Sequence, residues 1–213
     1  MTITRVLIVD DHPLLRRGVR QLLDLDPEFE TVAEAGSGEE ALALAASHRP
    51  DLILLDFNMV GLNGIETLEA LREAGLDTRV IMLTVSDHDG DVVSALRAGA
   101  DGYLLKDMEP EDLLDHLRRA ARGMLVISEE LTTVLARALG RDTHGNGEAR
   151  PELTGREREI LRLIARGLSN KMIARQLEIT EGTIKVHVKN LLKKLGMRSR
   201  VEAAVWAVGQ GFH

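Results

Sequence analysis

Acidic, hydroxyl and amine side chains stand at the ends of four apolar runs in the first half of the sequence. The runs end at the pair Asp10-Asp11, at Asp56, at Thr84 and at Lys106. In an open parallel sheet, ligands bind at the carboxyl ends of the strands. If these runs are strands of a sheet ordered 2-1-3-4-5, the five side chains converge on one rim and form a candidate site.

Three carboxylates on one rim repel each other unless a cation lies among them. Oxygen ligands of this kind suit Mg²⁺, which keeps several waters and accepts phosphate oxygens. A carboxylate beside Mg²⁺ can attack phosphorus and form an aspartyl phosphate, while the Thr84 hydroxyl and the Lys106 ammonium could hold phosphoryl oxygens. Lys106 is the sole lysine in the first 150 residues, and a compact ammonium suits a point contact to phosphate.

Alternating apolar runs and amphipathic stretches predict the elements that would position this rim. Strands are predicted at 6–9, 31–35, 52–55, 80–83 and 103–105, and helices at 14–25, 38–47, 63–74, 89–98 and from Pro110 onwards. Runs without polar alternation indicate strands that are covered on both faces. The predicted fold of this half is α/β, with a five-stranded doubly wound parallel sheet of flavodoxin-like order 2-1-3-4-5.

The rest of the chain predicts a linker and an all-α domain. Residues 140–151 contain three glycines among polar neighbours, which favours a flexible boundary, and a short helix is predicted after Ser128. Thr154 with Glu157 forms a capping-box motif, and Ser169 and Thr180 are N-cap candidates. We predict an α/β domain over residues 1–123, a linker with a short helix over 124–150, and a four-helix domain with a helix-turn-helix over 151–213.

Charge is distributed unevenly along the chain. The net charge is −7, but residues 151–213 hold 12 basic and 6 acidic residues, whereas the first 150 hold 15 basic and 28 acidic residues. A basic second half suits a polyanionic partner, and the opposite charges favour docking of the two halves. The absence of cysteine excludes disulfide scaffolds and thiol nucleophiles. Without an evident signal peptide or an apolar run of 18 residues, we expect a cytoplasmic protein with no membrane partner.

The helix predicted after Thr180 combines an apolar face with a basic one. At 100° per residue, the basic face carries Lys185, Val186, Lys189, Asn190 and Lys193. A lysine-rich face alone is usually a solvated surface. Val186 gains nothing from solvent, but in a DNA major groove it could pack on a thymine methyl while Lys185 and Lys189 reach bases or phosphates. The preceding helix and short turn predict a helix-turn-helix, whose second helix reads the major groove.

Residues 4–122 resemble the receiver domain of two-component response regulators. The resemblance is carried by Asp10 to Pro13, Leu54 to Met59, Gly61 to Gly64, Thr84 and Gly99 to Lys106. It implies a sensor histidine kinase as partner, Asp56 as phosphoacceptor, and Mg²⁺ held by Asp11, Asp56 and the carbonyl of Asn58, with Asp10 assisting. It also implies that Thr84 and Lys106 contact the phosphoryl group and that Tyr103 is an aromatic switch. Val60 stands where the family usually has proline, which removes a restraint on this loop but no ligand.

Residues 152–208 resemble the LuxR-type output domain of the NarL/FixJ response regulators. The matching residues are Leu153-Thr154, Arg156-Glu157, Ile160-Leu161, Gly167 to Lys171, Ile173-Ala174 and Thr183 to Lys194. The resemblance implies that Lys185, Val186 and Lys189 read bases, with His187 and Asn190 as weaker candidates for backbone contact. Lys193 is a further candidate for DNA contact, because it lies on the same helix face. Segments 91–96, 106–114, 170–175 and 199–206 resemble the nitrate/nitrite regulators of this family and imply a nitrate- or nitrite-sensing kinase.

These inferences predict a transcription regulator and not an enzyme. Phosphorylated copies are expected to bind double-stranded DNA as homodimers and could contact RNA polymerase, while the unphosphorylated acidic half would cover the basic helix. Two alternatives stay open. One is a constitutive helix-turn-helix regulator that uses its receiver only as an interaction module. The other is an aspartyl-phosphate phosphohydrolase, for which no chain remains to build a substrate cap.

Overall fold

Short runs of branched apolar residues form a parallel sheet in the first part of the chain. The structure is a computed structural model that describes residues 3–76, 78–85, 89–127, 153–197 and 199–212. Its strands are β1 (Thr4–Val9), β2 (Phe29–Ala35), β3 (Leu52–Asp56), β4 (Arg79–Thr84), β5 (Gly102–Leu105) and β6 (Val126–Ile127). The strand order is β2-β1-β3-β4-β5-β6 and every pairing is parallel.

Five helices cover the two faces of this sheet. They are α1 (Pro13–Asp24), α2 (Gly38–His48), α3 (Gly64–Glu73), α4 (Asp89–Ala98) and α5 (Pro110–Ala121). Successive residues of a strand point to opposite faces. Leu7 of β1 therefore belongs to one buried cluster and Ile8 to the other. The predicted doubly wound α/β fold is confirmed.

The predicted strand count of five is wrong, because β6 adds a sixth strand at the edge. Val126 and Ile127 pair in parallel with Gly102 and Tyr103 of β5. A run of two residues falls below the length at which apolar patterning indicates a strand, and the tertiary position of α5 brings this run to the free edge of β5. The start of the predicted linker thus belongs to the sheet.

Four helices form the second domain, and each begins at a side-chain cap. They are α6 (Gly155–Ala165), α7 (Asn170–Gln176), α8 (Glu181–Leu195) and α9 (Arg200–Gly209). The caps are Thr154, Ser169, Thr180 and Ser199, and Thr154 forms a capping box with Glu157. Each such cap contributes about 1 kcal/mol to helix stability by satisfying a free backbone N–H. The helix predicted after Ser128 lies outside the described residues.

The α/β domain (β1–β6 with α1–α5) and the helical domain (α6–α9) share apolar contacts. Val201 and Val205 of α9 are buried in the cluster that contains Tyr103 and residues of α4. Leu125, just before β6, packs against both this cluster and the core of the helical domain, and its N–H donates to the carbonyl of Gly167 at 3.2 Å. Among the described residues, no helix is long and apolar enough to cross a membrane.

Candidate functional site: an acidic rim and a basic helix face

Parallel strand order brings the predicted polar residues to one rim of the sheet. Asp10 follows β1, Asp56 ends β3, Thr84 ends β4 and Lys106 follows β5, and these strands are adjacent in that order. Asp56 pairs in register with Leu83, the neighbour of Thr84. The rim forms because the carboxyl ends of parallel strands meet at one edge.

The ammonium group of Lys106 bridges two buried carboxylates. Nζ lies 2.7 Å from Oδ2 of Asp10 and 2.8 Å from Oδ1 of Asp56. Both aspartates are almost fully buried, at 2% and 1% exposed. One positive charge therefore faces two negative charges in a place where water screens little, which leaves the rim with an excess of negative charge.

Asp56 is held so that one of its oxygens remains open. Oδ1 accepts from the backbone N–H of Asn58 at 3.1 Å, whereas Oδ2 is buried and has no hydrogen-bond partner among the residues that the structure describes. Burial raises the pKa of the Asp56 carboxyl above its ordinary value, the hydrogen bond from Lys106 opposes that rise, and the charge of Asp10 adds to it. An unpartnered buried carboxylate oxygen is energetically unfavourable unless a cation or a reacting group approaches it.

Asp11 and His12 complete the acidic cluster. Ligand atoms of Asp10, Asp11, His12 and Asp56 all lie within 4.8 Å of one another. Oδ2 of Asp11 accepts from the backbone N–H of Val60 at 3.3 Å. Nδ1 of His12 lies 2.8 Å from Oδ1 of Asp11, but this contact is not a hydrogen bond, and the buried oxygen has none within the described part of the chain. The sequence did not single out His12 as a member of the cluster.

This donor set suits a small hard cation. Three carboxylates supply oxygen ligands, and two of their oxygens, Oδ1 of Asp11 and Oδ2 of Asp56, are buried and unpartnered. Mg²⁺ favours few protein carboxylates together with water and phosphate oxygens. Asn58 is exposed and follows the turn after Asp56, so its backbone is at the same edge of the sheet.

Tyr103 lies below the rim in the core. Its side chain is fully buried and its ring packs edge-on against Phe57, with centroids 6.2 Å apart. Burial raises the pKa of Tyr103 to about 12. Its hydroxyl has the Thr84 side chain as a polar neighbour but, within the described ranges, no partner at hydrogen-bonding geometry. A buried hydroxyl without a full partner can gain a hydrogen bond by moving.

The two central helices of the helical domain are joined by a tight turn. Glu178, between α7 and α8, adopts a left-handed backbone conformation with φ of 53°. Thr180 then begins α8 by accepting from the backbone N–H of Thr183 at 3.1 Å. Ile184, Val188 and Leu191 anchor α8 in the domain core. This is the geometry of a helix-turn-helix, as the sequence predicts.

The outer face of α8 is basic and open to solvent. Lys185, Lys189, Asn190 and Lys193 are exposed, and His187 is half-buried at the flank of this face. Val186 is 59% exposed in its centre. The first turns of the helix approach the α/β domain, because Glu181 and Lys185 line a cavity between the domains. The basic face is therefore partly turned towards the α/β domain.

Comparisons with known proteins follow the same division of the chain. Residues 6–118 match the response regulator receiver domain, and residues 151–207 match the bacterial regulatory proteins of the luxR family. The chain is 58% identical over 201 residues to the nitrate/nitrite response regulator protein NarL of Escherichia coli, covering 94% of this chain and 93% of that protein. It is 53% identical over 203 residues to the nitrate/nitrite response regulator protein NarP of the same organism, with coverage of 94% and 93%.

A solved structure also matches over both domains. The crystal structure of the response regulator ChrA of a heme-sensing two-component system is 34% identical, with a TM-score of 0.54, and the match covers 100% of each chain.

Proposed function

This chain belongs to the two-component response regulators that join a receiver domain to a LuxR-type DNA-binding domain, and we propose that phosphorylation of Asp56 controls its binding to DNA. The observation that carries the proposal is the open Oδ2 of Asp56, buried beside Asp10 and held in place through Lys106. A fixed carboxylate with one free oxygen is arranged for nucleophilic attack.

In the proposed reaction, the donor is a phosphohistidine of a sensor kinase. Oδ2 of Asp56 forms a bond to phosphorus, the P–N bond of the donor breaks, and its electron pair returns to the imidazole, which takes up a proton. The ammonium group of Lys106 would then pair with the new phosphoryl oxygens, which carry the negative charge. Thr84, at the end of the adjacent strand, would donate a hydrogen bond from its hydroxyl to another phosphoryl oxygen.

Mg²⁺ is the proposed cofactor of this site. Asp10, Asp11, Asp56 and the carbonyl of Asn58 would hold it. When bound, the ion would offset the repulsion among the carboxylates and neutralise charge on the transferred group. The two unpartnered oxygens at Asp11 and Asp56 support this assignment.

We propose that the signal reaches DNA through the domain interface. Thr84 and Tyr103 sit next to each other under the rim, and Tyr103 shares a buried cluster with Val201 and Val205 of α9. Drawing Thr84 and Lys106 towards a phosphoryl group would repack Tyr103 and weaken the contact with α9. The receiver would then separate from α8 and leave the whole basic face available to DNA.

The outer face of α8 is the proposed DNA reader. Lys185, Val186 and Lys189 would contact base edges in the major groove, while His187, Asn190 and Lys193 would contact the backbone. The exposed Val186 supports this role, since burying it against a thymine methyl recovers apolar surface that solvent leaves exposed. Two phosphorylated copies would bind paired half-sites as a homodimer, where RNA polymerase could contact them.

The names of the similar proteins suggest which signal the kinase partner senses. Both curated relatives described above are named nitrate/nitrite response regulators, so we propose that the kinase partner senses nitrate or nitrite. A phosphohistidine donor and chromosomal DNA as partners would require a cytoplasmic location, with no membrane partner.

The decisive experiment measures affinity for a nitrate-regulated promoter fragment by fluorescence anisotropy. Wild type and Asp56→Asn are each measured with and without acetyl phosphate and Mg²⁺. We expect tighter binding only for phosphorylated wild type. Equal binding in all four conditions would favour the constitutive regulator. Steady release of inorganic phosphate from small phosphate esters, abolished in Asp56→Asn, would instead favour the phosphohydrolase.

A further inference from the structure

The interface between the receiver and the DNA-binding domain brings positive charges together. Two adjoining cavities of about 840 Å³ and 700 Å³ lie between the domains and share Arg79, Arg122, Ser169 and Lys171 in their walls. Arg200 lines the larger cavity. The walls therefore carry cationic side chains from both domains, although the net charges of the two halves are opposite.

Arg200 is a half-buried cation in the wall of the larger cavity. Its Nη1 donates to Oδ1 of Asn170 at 2.6 Å and its Nη2 donates to the carbonyl of Leu168. Its Nε is buried and has no hydrogen-bond partner among the described residues. Burial, and to a smaller extent the charge of Arg79, lower the pKa of Arg200 to about 10, while the charge of Asp101 opposes this shift. Within the described ranges, no carboxylate is in ion-pair distance of Arg200.

Arg79 reaches the same place from β4 of the receiver. A Cβ atom on Gly123 would lie 2.5 Å from Nη2 of Arg79 and 2.5 Å from Cβ of Ser169, so the guanidinium is packed at the point where the domains touch. The described part of the chain gives this half-buried side chain neither a hydrogen bond nor an ion pair. Its five N–H donors are therefore available to a ligand.

Glu69, Glu73 and Glu181 also line the larger cavity, but its cationic side chains outnumber its carboxylates. Two other carboxylates near the cleft are paired with arginines. Asp101 is 2.7 Å from Arg72 and also accepts from the backbone N–H of Val80. Glu28 lies 3.6 Å from Arg122, its sole ion-pair partner among the described residues. Like charges across an interface repel, and desolvation makes the repulsion stronger. Such an interface closes stably when an anion lies between the cations.

We infer that this cleft binds a phosphate-bearing anion that bridges the two domains. Arginine donates in a fork that matches phosphate oxygens, and a phosphate has enough oxygens to contact Arg79 of the receiver and Lys171 of the DNA-binding domain together. The cavity is larger than inorganic phosphate alone, which leaves room for an organic phosphate. The ligand would stabilise the closed arrangement and weaken DNA binding, without involving Asp56.

The test titrates full-length protein with pyrophosphate and with a nucleoside diphosphate by isothermal titration calorimetry. Buffers contain no Mg²⁺, which disfavours phosphate at the Asp56 rim, and ionic strength is held constant with chloride. The variants are Arg79→Met and Lys171→Met, one from each domain. The controls are Arg17→Met and Arg158→Met, which remove exposed arginines of the two domains that do not line the cleft.

We expect one site per chain in wild type and both controls, and affinity at least about 10-fold weaker in each cleft variant, as for the loss of a charge-assisted hydrogen bond. Tighter binding of the nucleoside diphosphate than of pyrophosphate would identify an organic phosphate as the natural ligand, and the reverse order an inorganic one. Absence of binding heat, or equal affinity in Arg79→Met and wild type, would overturn the inference. The proposed control by Asp56 would be unaffected in either case.

Discussion

The ammonium nitrogen of Lys106 lies 2.8 Å from Oδ1 of Asp56 in a part of the receiver that water hardly reaches. The same nitrogen lies 2.7 Å from Asp10, so the lysine is shared between two carboxylates. Neutralising one carboxylate should raise the free energy of unfolding of the receiver, whereas removing the lysine should lower it. These opposite effects give the first two predictions.

Lys106→Met should destabilise the receiver at neutral pH. The change leaves Asp10 and Asp56 buried without their counter-charge, and breaking a buried ion pair from one side costs about 3–5 kcal/mol. The loss should shrink as the pH is lowered through the raised pKa of Asp56, because protonation then removes one of the two buried negative charges. Urea unfolding in Mg²⁺-free buffer measures it, with Lys193→Met as the exposed control, because Lys193 lines neither cavity between the domains. A loss that does not change with pH would indicate that packing, and not charge, is responsible.

Asp56→Asn should stabilise the protein at pH 7 in the absence of Mg²⁺, by about 0.5–2 kcal/mol, as is common when a functional group is replaced. Burial raises the pKa of Asp56 in the folded state. The folded protein therefore holds this proton more tightly than the unfolded chain, and stability falls as pH rises through the folded pKa. The advantage of Asn should vanish at pH 3 and after Mg²⁺ is added to wild type. Equal unfolding curves at pH 7 would contradict the account.

Gly123→Ala should separate the domains. The residue has φ of 83°, and a Cβ there would lie 2.5 Å from Ser169 of the other domain. Gly75→Ala is a matched control, because Gly75 has φ of 71° but nothing within 4 Å of its Cβ position. In both variants, backbone strain should lower the free energy of unfolding by about 1 kcal/mol. Only Gly123→Ala should bind promoter DNA several-fold more tightly without phosphorylation, as measured by anisotropy.

Val205→Lys should also open the interface. Val205 is 5% exposed and packs in the receiver cluster, whereas Val208, on the same helix, is 38% exposed. A buried unpaired charge is strongly unfavourable, so the receiver should leave α9 and small-angle scattering should report a larger radius of gyration. Val208→Lys should leave the radius unchanged. An equal effect of both substitutions would show that helix stability was altered instead.

Lys189→Ala should weaken binding at the preferred site by about 1–3 kcal/mol if the lysine reads a base. A matched control is Lys194→Ala on the same helix, because Lys194 is 2.8 Å from Glu157 of its own domain. Binding to the promoter and to random DNA is compared at one salt concentration. An equal loss on both DNAs would assign Lys189 to a phosphate contact, and no loss on either would remove it from the interface.

Local signals in the sequence were sufficient for most of the secondary structure. Thr154, Ser169 and Thr180 begin helices because each side chain accepts a hydrogen bond from the backbone N–H three residues further on. The apolar runs before Asp10, Asp56 and Lys106 form strands because they are buried on both faces. Local patterning did not predict the strand Val126–Ile127, because this strand forms only by pairing with β5, more than 20 residues earlier in the chain.

The sequence by itself determined which chemical groups are available and on which rim or face they lie, since strand ends and helical periodicity are set by local geometry. Tertiary structure alone decided that Lys106 is shared by Asp10 and Asp56, that His12 joins the acidic cluster, and that Val205 is buried against the receiver. It also placed Arg79 beside Ser169 of the other domain. Those relationships depend on distances between residues far apart in the chain, which net charge and periodicity do not contain.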